Sequence, residues 1–278
     1  MNSFVKRTIS GAILVAVTVL ALYLGGWASL ALIALFGTAA DFELYRALGY
    51  MDKGSQKTMP AWAGLVMSII MYLLVYFTDY RYAVILCVMA YMIFLLAVYV
   101  FTFDKYSVKD VALLLFGFVY TAVIAALLIA LRLFMDEGKY FVWMAIIPAM
   151  CSDIFAYCVG MLIGKHHFSK VSPKKTIEGC VGGVVGAGLC TALLGWFISS
   201  RVAVSAGFIP ACALIGVVCG LISQIGDLSA SAIKREQGIK DYGKAIPGHG
   251  GFLDRVDSIL FISPIVFLGV LLLNTFYM

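Results

Sequence analysis

The apolar residues of this chain fall into long runs separated by short polar joints, not into the narrow stripes of a soluble amphipathic fold. A bilayer span needs ~20 mostly apolar residues. By that measure the pattern predicts about nine transmembrane helices, at 8–24, 27–48, 60–77, 82–101, 108–133, 141–163, 177–200, 209–228 and 252–276. Trp27, Trp62, Tyr80, Tyr82 and Tyr140 stand near run ends, where interfacial aromatic residues are expected. The expected fold class is all-α, a polytopic membrane protein. Lys6 and Arg7 before the first run resemble the start of a signal peptide. That run is long and a second follows at once, so a retained anchor is expected.

Composition strengthens this picture. The chain has 278 residues, 63% of them hydrophobic and 13% charged, with a mean hydropathy of +1.02. A soluble domain is about half apolar and about a quarter charged. Cys87, Cys151, Cys158, Cys180, Cys190, Cys212 and Cys219 all lie in apolar runs and form no CxxC pair. They read as small apolar filler, not as a disulfide framework or a zinc site.

Charge then sets the topology. With the N-terminus in the cytoplasm and the spans alternating, the cytoplasmic side collects Lys6, Arg7, Arg46, Lys53, Lys57, Lys105, Lys109, Lys165, Lys170, Lys174, Lys175, Lys234, Arg235, Lys240, Lys244 and Arg255. Only Arg81, Arg132, Lys139 and Arg201 remain on the other side, so sixteen of the twenty basic residues obey the positive-inside rule. The net charge of +5 therefore calls for no nucleic-acid partner. An odd number of spans leaves the C-terminus outside.

The chain divides by character. Residues 1–140 read as an N-terminal scaffold of transmembrane helices with little chemistry. Asp41, Glu43 and Arg46 sit at the end of the second run and are expected to be a solvated helix end. Residues 141–278 read as C-terminal helices carrying a catalytic site on the cytoplasmic face. Asp153 lies within an apolar run, and Asp227, Asp254 and Asp257 flank a polar loop at the membrane boundary. Ionisable groups at that depth are costly and usually serve a pathway or a site. Gly179, Gly182, Gly183, Gly186 and Gly188 give the seventh run GxxxG spacings, which favour close helix packing.

Two stretches could carry phosphate chemistry. Residues 172–176, SPKKT, place Ser172, Lys174, Lys175 and Thr176 just ahead of the glycine-rich helix. A helix N-terminus with two lysines makes an anion cradle, although a basic loop touching anionic lipid has the same composition. Residues 226–258 alternate acids and cations. Asp254 and Asp257 are three apart and share a helix face, and Asp227 ends the preceding run. Such carboxylates repel unless a cation lies between them, and Mg²⁺ takes one or two carboxylates together with substrate phosphates. Lys234, Arg235, Lys240, Lys244 and Arg255 are candidates for phosphate. Gly248, Gly250 and Gly251 would let the backbone approach a ligand. His249 either donates to phosphate or shapes the turn, while His166 and His167 read as a solvated loop.

These stretches resemble a known signature. The KR pair, the KD pair and PGHGGFLDRVDS within residues 231–258 are similar to the motif of the phosphatidate cytidylyltransferase (CDP-diacylglycerol synthase) family. SDIFAY at 152–157 and SPKKTIEG at 172–179 agree with it. Ala230 stands where that family often has glutamate, Phe155 where glycine is usual, and Ile177 where tryptophan is usual. The resemblance implies condensation of CTP with phosphatidate, giving CDP-diacylglycerol and pyrophosphate, with Mg²⁺ or another divalent cation. It implies that Asp227 and Asp254 hold the metal. Asp153, Lys174 and Lys175 would serve the nucleotide, and Lys234, Arg235 and Asp241 the phosphate loop. A CTP-dependent polyprenol-type kinase and an ion-coupled transporter are the competing readings. Oligomeric state is not encoded in these motifs, and a homodimer stays open.

Overall fold

A computed structural model describes residues 3–51, 57–135, 137–167, 169 and 171–278, with side chains from Thr8 onward. Lys53 and Lys170, and the side chains of Lys6 and Arg7, lie outside the described residues. Eleven α-helices are present among the described residues, and no strand. They are α1 (Ser3–Leu24), α2 (Gly26–Ala47), α3 (Thr58–Phe77), α4 (Tyr80–Phe101), α5 (Val108–Phe118), α6 (Ile124–Phe134), α7 (Gly138–Phe141), α8 (Trp143–Ile163), α9 (Ile177–Ser199), α10 (Phe208–Glu236) and α11 (Leu253–Tyr277). Eight helical segments are long and apolar enough to cross a membrane, α5 and α6 counting as one, and the apolar stretch Thr8–Leu24 of α1 is shorter. The protein is a multi-pass membrane protein.

The helix starts follow local chemistry. Ser107 caps α5 in a reciprocal capping box with Asp110. Asp79 caps α4 by accepting from the Arg81 amide at 2.9 Å. Between α5 and α6 the backbone makes a π-turn, Val119–Val123. Thr121 fills that turn by donating to the Gly117 carbonyl at 2.8 Å.

Two compact units share the chain, Met1–Leu133 with Glu236–Val256, and Phe134–Arg235 with Asp257–Met278. In the first unit the core is aromatic. Tyr45 donates to the Leu114 carbonyl at 2.9 Å and Tyr91 to that of Pro60 at 3.0 Å. Gly64 and Gly117 leave room for these rings, since a Cβ at either would press into them. Outside the spans, Lys57 and Tyr50 both bind Asp110, at 2.7 and 2.8 Å. Burial and that adjacent carboxylate push the Tyr50 phenol above its ordinary range.

In the second unit α9 packs tightly against α8 and α10 through glycines. A Cβ on Gly179 would lie 2.6 Å from the Ala156 carbonyl oxygen, and one on Gly183 2.7 Å from that of Ser152. Gly188, Gly195, Gly216 and Gly220 serve the α9–α10 contact in the same way. The close packing expected from the GxxxG spacings is therefore present. Phe155 covers Gly186, so the unusual ring has a glycine to receive it. Gln224 of α10 donates to the Cys180 carbonyl at 2.9 Å and tethers α10 to α9.

Candidate functional site

The SPKKT segment is built as its sequence suggests. Thr176 is buried and caps α9, its hydroxyl accepting from the Gly179 amide at 3.2 Å. The preceding loop is folded back onto this helix start. Glu178 accepts from the amides of Lys165 and His166, each at 3.2 Å, and pairs with the His166 ring. His166 and His167 are both exposed, as expected of a loop, and His166 has this carboxylate partner. Ser172 is half-buried and its carbonyl accepts from the Lys175 amide at 3.1 Å. Lys174 is exposed, whereas Lys175 turns inward and its ammonium lies 2.6 Å from Asp227 of α10.

That ion pair belongs to a charged constellation within the second unit. Asp257, in the second turn of α11, is only 7% exposed. Its carboxyl interacts electrostatically with Asp227, Asp153 and Lys234. Acids of α8, α10 and α11 thus share one electrostatic field with Lys234, and Lys175 is in direct contact with Asp227. Carboxylates that feel one another are eased by cations in the same field. Arg235 is exposed one residue beyond Lys234, in the last turn of α10. This helix runs to Glu236, well past the predicted end of its span at 228. Ala230 is fully buried, so a longer side chain has no room at that place.

A second constellation forms within the first unit around the PGHGG loop. Asp254 accepts with Oδ2 from the Tyr242 amide at 2.8 Å and the Gly251 amide at 3.0 Å. Gly248 and Gly250 adopt positive φ, 78° and 84°, which closes the turn. Ser10 of α1 donates to the Pro247 carbonyl at 2.9 Å and lies 3.0 Å from His249 Nδ1. His249 is thus tied into the turn through its ring and through its amide, which donates to the Ile246 carbonyl at 2.9 Å. Lys240, Asp241, Lys244 and Arg255 are exposed.

The expectation of a solvated helix end at Asp41, Glu43 and Arg46 is overturned. Asp41 is 0% and Glu43 4% exposed. Asp41 accepts from Ser68 at 2.9 Å in the core of the first unit. Glu43 accepts from the amides of Phe252 and Leu253, the latter at 2.9 Å. Arg46 donates to the Tyr242 carbonyl. For Glu43 the free N–H groups at the start of α11 explain the change, because they supply the partners that water would otherwise supply. The sequence signal was a carboxylate well inside an apolar run.

A groove elsewhere in the second unit has different chemistry. A groove of about 480 Å³ on α8 and α9 is lined by Phe155, Val159, Ile163, Val181, Val185 and Leu189, with Glu178 at its edge. Its walls suit hydrocarbon and offer no cation to a phosphate.

No group of three or more His, Cys, Asp or Glu side chains closes around a metal position among the described residues. The acids present are nevertheless hard oxygen donors. They fit an ion that takes one or two carboxylates and completes its shell with substrate phosphates and water.

Comparison with known proteins places the chain. A phosphatidate cytidylyltransferase from Synechocystis is 43% identical over 122 residues, 44% of this chain and 40% of that protein. One from Staphylococcus saprophyticus is 33% identical over 181 residues, 65% of this chain and 66% of that one. One from Staphylococcus aureus is 33% identical over 175 residues, covering 62% and 63%. Each alignment spans less than two thirds of the relative's length. The model of the cytidylyltransferase family matches residues 5–273, nearly the whole chain, and the protein belongs to that family.

Proposed function

We propose that the protein is a phosphatidate cytidylyltransferase of the cell membrane, with its active site on the cytoplasmic face and its N-terminus in the cytoplasm. The observation that carries this reading is the pairing of Lys175 with Asp227 beside Asp153, Asp257 and Lys234. Acids and cations are gathered at the ends of apolar helices, where a lipid headgroup and a water-soluble nucleotide can meet.

In the proposed reaction a phosphatidate phosphate oxygen attacks the α-phosphorus of CTP. One P–O bond forms, the bond to the β-phosphate bridging oxygen breaks, and pyrophosphate leaves. A phosphomonoester has a second pKa near ~6, so the attacking oxygen is already largely ionised at neutral pH. No strong base is needed. The task is to bring two polyanions together and to stabilise charge on the leaving group.

Lys174 and Lys175, with Ser172 and the start of α9, bind the CTP phosphates. Lys175 is held by Asp227 until a phosphate competes for it. Lys234 and Arg235 serve the lipid phosphate or the departing pyrophosphate. Lys240, Asp241, Lys244, His249 and Arg255 complete the phosphate-handling loop. Asp227, with Asp257 beside it, would hold a divalent ion such as Mg²⁺, while the assignment of Asp254 to the metal rests on the motif resemblance. That ion supplies charge neutralisation on the phosphates.

The test is product analysis with purified protein, CTP, phosphatidate and Mg²⁺. CDP-diacylglycerol and pyrophosphate in equal amounts support the proposal. Transfer of the γ-phosphoryl group with release of CDP would make the protein a lipid kinase instead.

A further inference from the structure

We infer that Glu43, in the N-terminal half of the chain, is a positioning residue for the PGHGG loop and acts on it through Asp254. The inference rests on the cytidylyltransfer reading and adds a residue that the phosphate motifs do not contain. Glu43 reaches 210 residues along the chain to accept from the Leu253 amide at 2.9 Å. It also accepts from Phe252. Its carboxylate therefore stands at the N-terminus of the 25-residue α11, where free amides and the helix dipole favour a negative charge.

Its neighbours show how closely the loop is fitted to it. A Cβ on Gly243 or on Gly251 would collide with the Glu43 carboxylate. These two glycines leave space for a side chain of α2, not for a ligand as the sequence suggested for Gly251. Asp254, one residue into α11 from Leu253, takes the Tyr242 and Gly251 amides on one oxygen. Arg46, one helical turn below Glu43, holds the Tyr242 carbonyl. It also offsets the repulsion between the Glu43 and Asp254 carboxylates. Glu43 fixes the first turn of α11, that turn fixes Asp254, and Asp254 fixes both ends of the loop bearing Lys244 and His249.

The experiment combines kinetics with amide hydrogen exchange on the full chain in detergent. Glu43→Ala removes a charge-assisted pair of bonds, so exchange over residues 242–253 should rise by about tenfold to a hundredfold. Exchange in α4 and α9 should not change. The kinetic loss should fall on kcat/KM, and Glu43→Gln, which keeps an acceptor oxygen, should recover much of it. Gly251→Ala should also impair turnover, and Glu43→Asp, which withdraws the carboxylate, should partly rescue it. Non-additivity in that double-mutant cycle is the direct signature of the contact. The inference is overturned if Glu43→Ala leaves loop exchange and kinetics unchanged. It is equally overturned if exchange rises uniformly through all helices, or if Glu43→Asp and Gly251→Ala are additive. An inactive wild type with a protected loop that opens in Glu43→Ala would instead refute the cytidylyltransfer reading and leave the contact standing.

Discussion

At the scale of single residues, some charges act on substrate and others only hold structure. Asp227 is held by one lysine and shares its field with Asp257. Asp227→Asn removes a hard ligand but keeps the shape. It should lower turnover by at least a hundredfold while the folded yield stays near wild type; near-normal activity at saturating Mg²⁺ would remove it from the metal. Asp254→Asn should be as damaging for a second reason, because its oxygen also gathers two loop amides. The two basic pairs separate by substrate. Lys174→Ala should mainly raise the apparent KM for CTP, by about tenfold to a hundredfold for a lost charge-assisted contact. Arg235→Lys keeps the charge but loses the planar fork of donors and should still impair turnover. Kinetics against each substrate in turn would reverse these roles if Lys174→Ala weakened only phosphatidate dependence.

The helices show what a sequence can and cannot reveal. Length and apolarity placed eight of the nine expected spans on long apolar helices among the described residues, because backbone groups in lipid must bond within a helix and leave few alternatives. The glycine spacing of α9 foretold its packing, since absent side chains have one main use in a membrane. Two features were not legible. The π-turn at Val119–Val123 leaves the apolar pattern intact, and the polar end of α10 reads as loop although it stays helical to Glu236. Packing tests this level directly. Gly183→Val places a methyl-bearing carbon against the Ser152 carbonyl and should cost ~1–3 kcal/mol. Val181→Leu, on an exposed face of the same helix, should be nearly silent in thermal unfolding. Equal effects of the two would contradict the glycine contact.

For the whole molecule, the sequence divided the chain at about residue 140, with chemistry only afterwards. The acids and lysines of the second unit were readable because charge in an apolar run is conspicuous. Glu43 carried the same signal of a charge in an apolar run, but its partners were not legible, because they are backbone amides more than two hundred positions away and backbone amides leave no mark in a sequence. Segment Glu236–Val256 accordingly packs with the unit formed by the first half of the chain. Orientation is tested by labelling in a cysteine-free background. Cysteine at Ser169 or Lys240 should react from the cytoplasmic side and cysteine at Met278 from the outside, and reaction of all three from one side would overturn the charge-derived topology.

The central claim is a choice of which phosphorus of CTP is attacked. CTP carrying label in its α-phosphate or in its γ-phosphate, incubated with phosphatidate and the purified protein, separates the outcomes in a single extraction. Cytidylyl transfer puts the α-label into the lipid phase and leaves the γ-label in soluble pyrophosphate. The γ-label in the lipid, with the α-label remaining in soluble CDP, would contradict the account.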